Sequence, residues 1–262
     1  TTVSITHQES TDTPTITLVS HATLLFEYNG FTLVTDPWLV GEAFQGSWTQ
    51  YPPTPLDPDD IGEVDAIWIT HEHSDHLHPQ TLAHFDGSIP VYIPEFRCQR
   101  LRRRMVELGF SNITVVPNRQ PVQLTQDVHA ICFESQSVWN DTLQYLNFGG
   151  FEILNANDAG INREVADSIG TVDLVSSAFS QGASGYPLTW THLSEQDKQS
   201  TIRQSNSGQL HKLEGLVDLF DPDYVLPFAS FQALWQPEHT QYLDLQEKNC
   251  PADIVDCLDH TD

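Results

Sequence analysis

An α/β sandwich, two β layers covered by helices, is the fold class this chain predicts, and three observations carry the prediction. Short β-branched and aromatic runs are joined by tight-turn dipeptides in the first half. Helical spacing of apolar residues takes over towards the C-terminus. A loop crowded with metal-ligand residue types follows directly on an apolar strand, which places it at a sheet edge.

The elements follow in order. Runs at 15–19, 22–28 and 31–35 read as strands, and Asn29-Gly30 supplies the residue pair that a type I′ hairpin turn requires. The stretch 36–62, rich in Pro, Gly, Trp and Asp, reads as a long irregular loop of the length that usually serves function. Ala66-Ile67-Trp68-Ile69-Thr70 is a buried strand. Pro79 opens a helix, 91–93 forms a short strand, and a second helix is expected over 95–108 with its stop at Gly109. Further strands are expected at 113–116, 128–133, 143–148, 151–155 and 172–176, with Gly149-Gly150 as another hairpin turn. Ser194 with Asp197 forms a capping box. Beyond it Ile202, Leu210, Leu213, Leu216, Val217 and Phe220 recur at helical spacing, interrupted by Gly208. No repeat or linker divides the chain, so one domain over 1–262 is expected.

Composition narrows the function classes. The formal charge is −25, from 36 acidic and 11 basic residues, which repels nucleic acid and anionic membranes. No apolar run of roughly 18 residues is present to span a membrane. With no recognisable secretory signal, the cytoplasm is the expected location. Cys98, Cys132, Cys250 and Cys257 show no C-x-x-C pairing and read as reduced structural thiols.

The chemistry concentrates in His71-Glu72-His73-Ser74-Asp75-His76, where three of the chain's 12 histidines and one aspartate occupy a single turn. His71 and His73, alternating on an extended turn, can grip one cation, while Asp75 and His76 on the following bend can grip a second. Asp158 ends another apolar strand, where a carboxylate can bridge two cations; a turn or capping role is the alternative. Arg97, Arg100, Arg102, Arg103 and Arg104 lie within eight positions of one helix and suit either a solvated, ion-paired face or an anionic ligand. Trp38, Trp48, Tyr186 and Trp190 are candidate pocket walls or packing residues.

His71-x-His73-x-Asp75-His76 after an apolar strand, preceded by Thr35-Asp36-Pro37-Trp38 and followed by a strand ending at Asp158, resembles the metallo-β-lactamase superfamily. Residues 179–187 and 227–231 are similar to segments of the CMP-N-acetylneuraminate hydroxylase family and related sugar-nucleotide hydroxylases. The resemblance implies an αββα metallo-β-lactamase-like sandwich, with His71, His73, Asp75, His76 and Asp158 as ligands. The superfamily commonly supplies a further His before the bridging Asp, but 134–142 holds none; Asp141 is the nearest carboxylate that can substitute, against a plain turn role, and His129 precedes the stretch. For the late His that often closes the second site, His239 is the candidate, against a surface role.

The expectation is a divalent metal cofactor, about two ions per chain, of zinc, iron or manganese. More carboxylates and fewer imidazoles move a site away from zinc. The leading function is a metal-dependent hydrolase of a polar small-molecule ester, phosphoester or lactone, with Asp75 or Asp158 shuttling the proton. The alternative is a non-haem iron hydroxylase acting on a sugar-like or nucleotide-linked substrate. The paired Cys-x-His and Cys-x-x-His motifs of a Rieske centre are missing from this sequence, so electrons would come from a separate protein.

Overall fold

Alternating apolar residues broken by turn dipeptides build the first sheet. β1 (Val3–Ile5), β2 (Thr15–Ser20), β3 (Thr23–Tyr28) and β4 (Phe31–Thr35) pair antiparallel in chain order. At the β3–β4 turn Asn29 and Gly30 have φ of 50° and 78°, the left-handed pair of a type I′ hairpin. After the short β5 (Trp48–Gln50), the chain adds β6 (Ala66–Trp68), β7 (Val91–Pro94) and β8 (Ile113–Val116) in parallel, completing seven strands. The computed structural model describes residues 3–5, 13–135, 140–183 and 186–259.

The second sheet has six strands: β9 (Pro121–Gln123), β10 (Val128–Glu134), β11 (Thr142–Phe148), β12 (Phe151–Asn157), β13 (Leu174–Ala178) and β14 (Tyr224–Phe228). Gly149 and Gly150, with φ of 60° and 108°, turn β11 into β12. The last three strands run parallel, so their C-terminal ends share one edge. β15 (Gln232–Leu234) pairs with β5.

The sheets pack face to face through Leu24, Phe26, Leu33 and Trp68 on one side and Ala130, Leu146, Phe148, Ile153 and Phe228 on the other. Phe26 and Phe148 stack at 5.5 Å between ring centroids and are fully buried. Such burial stabilises by about 1.5–3 kcal/mol for each ring. On the outer face of the first sheet, α1 (Pro79–Leu82) and α2 (Arg100–Glu107) set Leu82, Leu101 and Met105 against Ile67, Val91 and Ile93. On the second, α3 (Arg163–Ile169) and α4 (Glu195–Phe220) set Val165, Leu216 and Phe220 against Phe133, Leu154 and Val175. α5 (Pro251–Leu258) docks Ile254 onto Leu213 of α4. The layers run helix, sheet, sheet, helix, as expected. Among the described residues no helix is long and apolar enough to cross a membrane.

Several elements differ from the sequence reading. α2 starts at Arg100 rather than near 95, because the Glu95 amide continues the strand ladder to the Val116 carbonyl at 2.9 Å. β13 starts two residues late, since the Val172 amide is taken by the Phe220 carbonyl at the end of α4. Gly208 does not interrupt α4. A helical glycine costs about 1 kcal/mol, which burial of Ile202, Leu213, Leu216 and Phe220 outweighs. Half of the expected capping box forms: the Ser194 hydroxyl accepts the Asp197 amide, while the Asp197 carboxylate takes the Ser194 hydroxyl proton instead of the Ser194 amide. Within the long loop, β5 and a 3₁₀ turn at Pro58–Asp60 supply order that composition did not signal. Ser184 and Gly185 of the glycine-containing loop, and 136–139 of the histidine-free stretch, lie outside the described residues.

Candidate metal centre

Three strand ends from the two sheets meet at one edge. β4 delivers Asp36, the run following β6 delivers Thr70 and His71, and β12 delivers Asn157 and Asp158. Asp36 and Asn157 both sit in the left-handed region, with φ of 45° and 51°, so each strand turns sharply where its polar side chain enters the site.

Asp36 is fully buried and organises the others. Its Oδ1 accepts the Thr70 amide at 2.8 Å; its Oδ2 accepts the Thr70 hydroxyl at 2.6 Å and the Asn157 amide at 2.9 Å, and faces His76 Nδ1 at 2.9 Å. Two tautomers follow. Carboxylate Oδ2 can only accept, so His76 donates from Nδ1 and directs Nε2 into the site. Because the Thr70 hydroxyl gives its single proton to Asp36, His71 Nδ1, 3.0 Å from Thr70 Oγ1, must donate to it. That leaves a lone pair on His71 Nε2, which points at His73 Nδ1 at 2.9 Å.

Around these nitrogens stand the carboxylates. Asp141 Oδ1 is 3.7 Å from His71 Nε2 and 4.0 Å from His73 Nδ1. Asp158 Oδ2 lies 3.4 Å from His76 Nε2, and Asp75 Oδ2 lies 3.8 Å from it. Asp75 Oδ2 also meets His21 Nε2 at 3.2 Å. His21 enters from the β2–β3 turn, anchored where its carbonyl accepts the Ala229 amide beyond β14 at 2.7 Å. Three overlapping donor groups result, each with its ligand atoms within 4.8 Å of one another: His71, His73 and Asp141; His71, His76 and Asp158; and His21, Asp75 and His76.

The electrostatics fit cations. His76 Nε2 and Asp75 Oδ1 are buried without a hydrogen-bond partner among the described residues, an arrangement that is costly unless another group satisfies them. Burial, then the charges of His76 and His73, push His71 down to about 3, so it stays neutral and ligating. Burial alone would lift Asp36 and Asp75, but the neighbouring His76 outweighs it and holds both below the usual carboxylate range. His76 is raised well above its ordinary value: burial opposes this, and Asp75, Asp158 and Asp36 together overcome it. A proton held that way stands where a metal cation would. The residues fit divalent metal ions.

Of the residues singled out from sequence, the structure brings together His71, His73, Asp75, His76, Asp141 and Asp158. His239 lies outside all three groups; it sits on a 3₁₀ segment, with its ring 6.3 Å from that of Tyr242. Beside Asp75 and His76 stands His21, a lone turn histidine that no local pattern distinguished. Asp36 was visible only as part of a motif, without a role. Trp38 is fully buried, Trp48 packs edge-on against Tyr186, and Trp190 is partly exposed, so none of these aromatics lines the metal cavity. Among the clustered arginines, Arg100 pairs with Glu72 and Arg104 with Glu107, as an ion-paired face requires. The Cys132 thiol is buried and pushed up to about 12 by that burial, consistent with a structural role.

The fold and the donor set define a class. Residues 15–170 match the model of the beta-lactamase superfamily domain, and the chain belongs to that family. It is 30% identical over 258 residues to the cytidine monophosphate-N-acetylneuraminic acid hydroxylase of Danio rerio, covering 93% of this chain and 42% of the relative. The chain thus spans about two fifths of the length of the curated relatives it matches. Among solved structures, CmlA, a diiron beta-hydroxylase from Streptomyces venezuelae, superposes with a TM-score of 0.58 at 20% identity, over 85% of this chain and 46% of that one. A putative metal-dependent hydrolase from Parabacteroides distasonis superposes with a TM-score of 0.62 at 16% identity, over 100% and 94%. These two structures share the fold.

Proposed function

We propose that this centre holds two iron ions and hydroxylates a small polar substrate, using electrons from a donor outside these 262 residues. The observation that supports this reading is the composition of the donor groups. Asp141 completes the His71 and His73 group, and Asp75 stands between His21 and His76, so each position mixes imidazole with carboxylate. The sequence relatives that align with nine tenths of the chain are named hydroxylases, whereas the likeness to named hydrolases is one of fold. His71, His73 and Asp141 would hold one ion, His21, Asp75 and His76 the other, with Asp158 between them. When bound, iron supplies the oxygen-activating chemistry. The chain's own part is to fix that chemistry in space: Asp36 and Thr70 lock two imidazoles, and Asp158, partly exposed, reaches the cavity beside His76.

Hydrolysis is the second reading, favoured by the same Asp158. A partly exposed carboxylate beside a divalent cation suits proton removal from an attacking water. Metal analysis with substrate screening separates the two. Iron at about two per chain, with optical changes on oxygen exposure, is the expected result. Zinc or manganese at that stoichiometry, with turnover of phosphodiester or lactone substrates, would replace hydroxylation by hydrolysis.

A further inference from the structure

The wall opposite the histidine loop holds a charge that the metal centre does not use. Only three lysines occur in the chain. Lys198 donates to the Leu188 carbonyl at 2.7 Å, and Lys248 to the Gln181 carbonyl at 2.8 Å. Lys212, on α4, lines the cavity of about 190 Å³ that His73, Asp75, Asp141 and Asp158 also line. Among the described residues no hydrogen bond or ion pair engages its ammonium, although Asp158 and Asp141 are near enough to attract it.

Two amides accompany it. Gln209, one helical turn earlier, lines the same cavity with its Oε1 buried and unpartnered. Gln232, at the start of β15, is 3% exposed and also lines the cavity, and its Oε1 is likewise unpartnered among the described residues. Buried polar groups left open in this way are costly and imply a missing partner. Asp141 and Asp158 attract Lys212 less once they bind cations, because most of their charge is then directed to the metals. Four carboxylates, counting Asp36, do not cancel two divalent cations and an ammonium, so the loaded cavity keeps a net positive charge.

We propose that Lys212 is the anion anchor of this cavity, binding a carboxylate or phosphate group of the substrate, with Gln209 and Gln232 holding adjacent hydroxyl or amide groups. The proposal rests on the metal-centre reading above. It assigns specificity to a helix that contributes no metal ligand. Burial lowers the affinity of Lys212 for its proton while Asp158 and Asp141 oppose this, so an incoming anion restores a counter-charge to a partly desolvated ammonium.

The test titrates inorganic phosphate, and separately acetate, into manganese-loaded protein, reading heat and the paramagnetic broadening of the phosphorus signal. Lys212→Met is expected to weaken the preferred anion by about tenfold or more, the value of one charged hydrogen bond. Lys212→Arg should retain most of the affinity, and Arg104→Met, on the outer face of α2, should match wild type. Whichever of phosphate and acetate shows the larger loss identifies the anchored group. Loaded wild-type protein that binds neither anion, or Lys212→Met that binds as tightly as wild type, overturns the assignment. Unchanged anion affinity with tighter metal loading in Lys212→Met would show that the ammonium merely balances the carboxylates. Wild-type protein that takes up no manganese, iron or zinc sinks the metal-centre reading instead, and equal anion binding by metal-free wild type and Lys212→Met still sinks the anchor.

Discussion

Replacing Asp36 with asparagine removes one charge and little volume from the point on which the site is built, and its consequences can be followed atom by atom. Three donors converge on Oδ2, from Thr70, Asn157 and His76, and one on Oδ1, from the Thr70 amide. The new amide keeps most of them by turning its carbonyl to the Oδ2 side. Its NH₂ then faces the Thr70 N–H, donor against donor, leaving a buried amide unsatisfied at a cost of about 1–3 kcal/mol. His76 Nδ1 then donates to a neutral carbonyl in place of a carboxylate, so the tautomer that frees Nε2 is held more weakly and the imidazole is a poorer donor to a cation. Loss of such a partner behind a metal-ligating histidine typically lowers metal affinity by about 10–100-fold, or about 1.4–2.7 kcal/mol. Chelator competition on Asp36→Asn measures the affinity, and a thermal melt of the metal-free form measures the fold. A variant that melts lower than wild type yet binds metal equally would refute the role given to Asp36, reducing it to a packing residue.

Two other predictions concern the same edge. His21→Ala is expected to lower retained metal from about two ions per chain towards one, whereas His239→Ala leaves it unchanged; elemental analysis after dialysis decides, and the opposite pattern would restore His239 as the second-site ligand. In chelator-treated protein, His76 and His71 together favour a stability maximum near pH 6.5, the ordinary histidine value, while Lys248, lowered to about 7 by burial, adds stability as pH rises from there towards its ordinary value. His76, raised on folding, contributes stability that is fully present below that value and lost as pH rises through its folded value. His71, lowered to about 3, works on the acid side: its unfolded form takes up a proton first, so stability falls as pH drops from 6.5 towards 3. Melting temperatures between about pH 4 and 9 test this as a difference: wild type should lose its advantage over His76→Ala as pH rises above 6.5, and an advantage that stays constant or grows above neutrality would contradict it.

What the sequence alone determined is what neighbours along the chain can determine. Asn29-Gly30 and Gly149-Gly150 specify their hairpins because only certain residues tolerate the left-handed turn, and the structure shows those φ values. His71, His73, Asp75 and His76 were legible because one turn holds them all, and Asp158 because it ends an apolar strand. Asp141 stood out as the nearest carboxylate able to substitute in a histidine-free stretch. What only the tertiary structure decided depends on long separations. His21 meets Asp75 across 54 positions, Asp36 meets Asn157 across 121, and Lys212 enters the cavity from a helix whose sequence marks only its apolar face. Periodicity reports which side of a strand or helix is buried, not which other element packs there. The parallel strands of two stacked sheets bring their C-terminal ends to one edge, and that convergence makes a turn histidine, a strand-end aspartate and a helical lysine parts of one site.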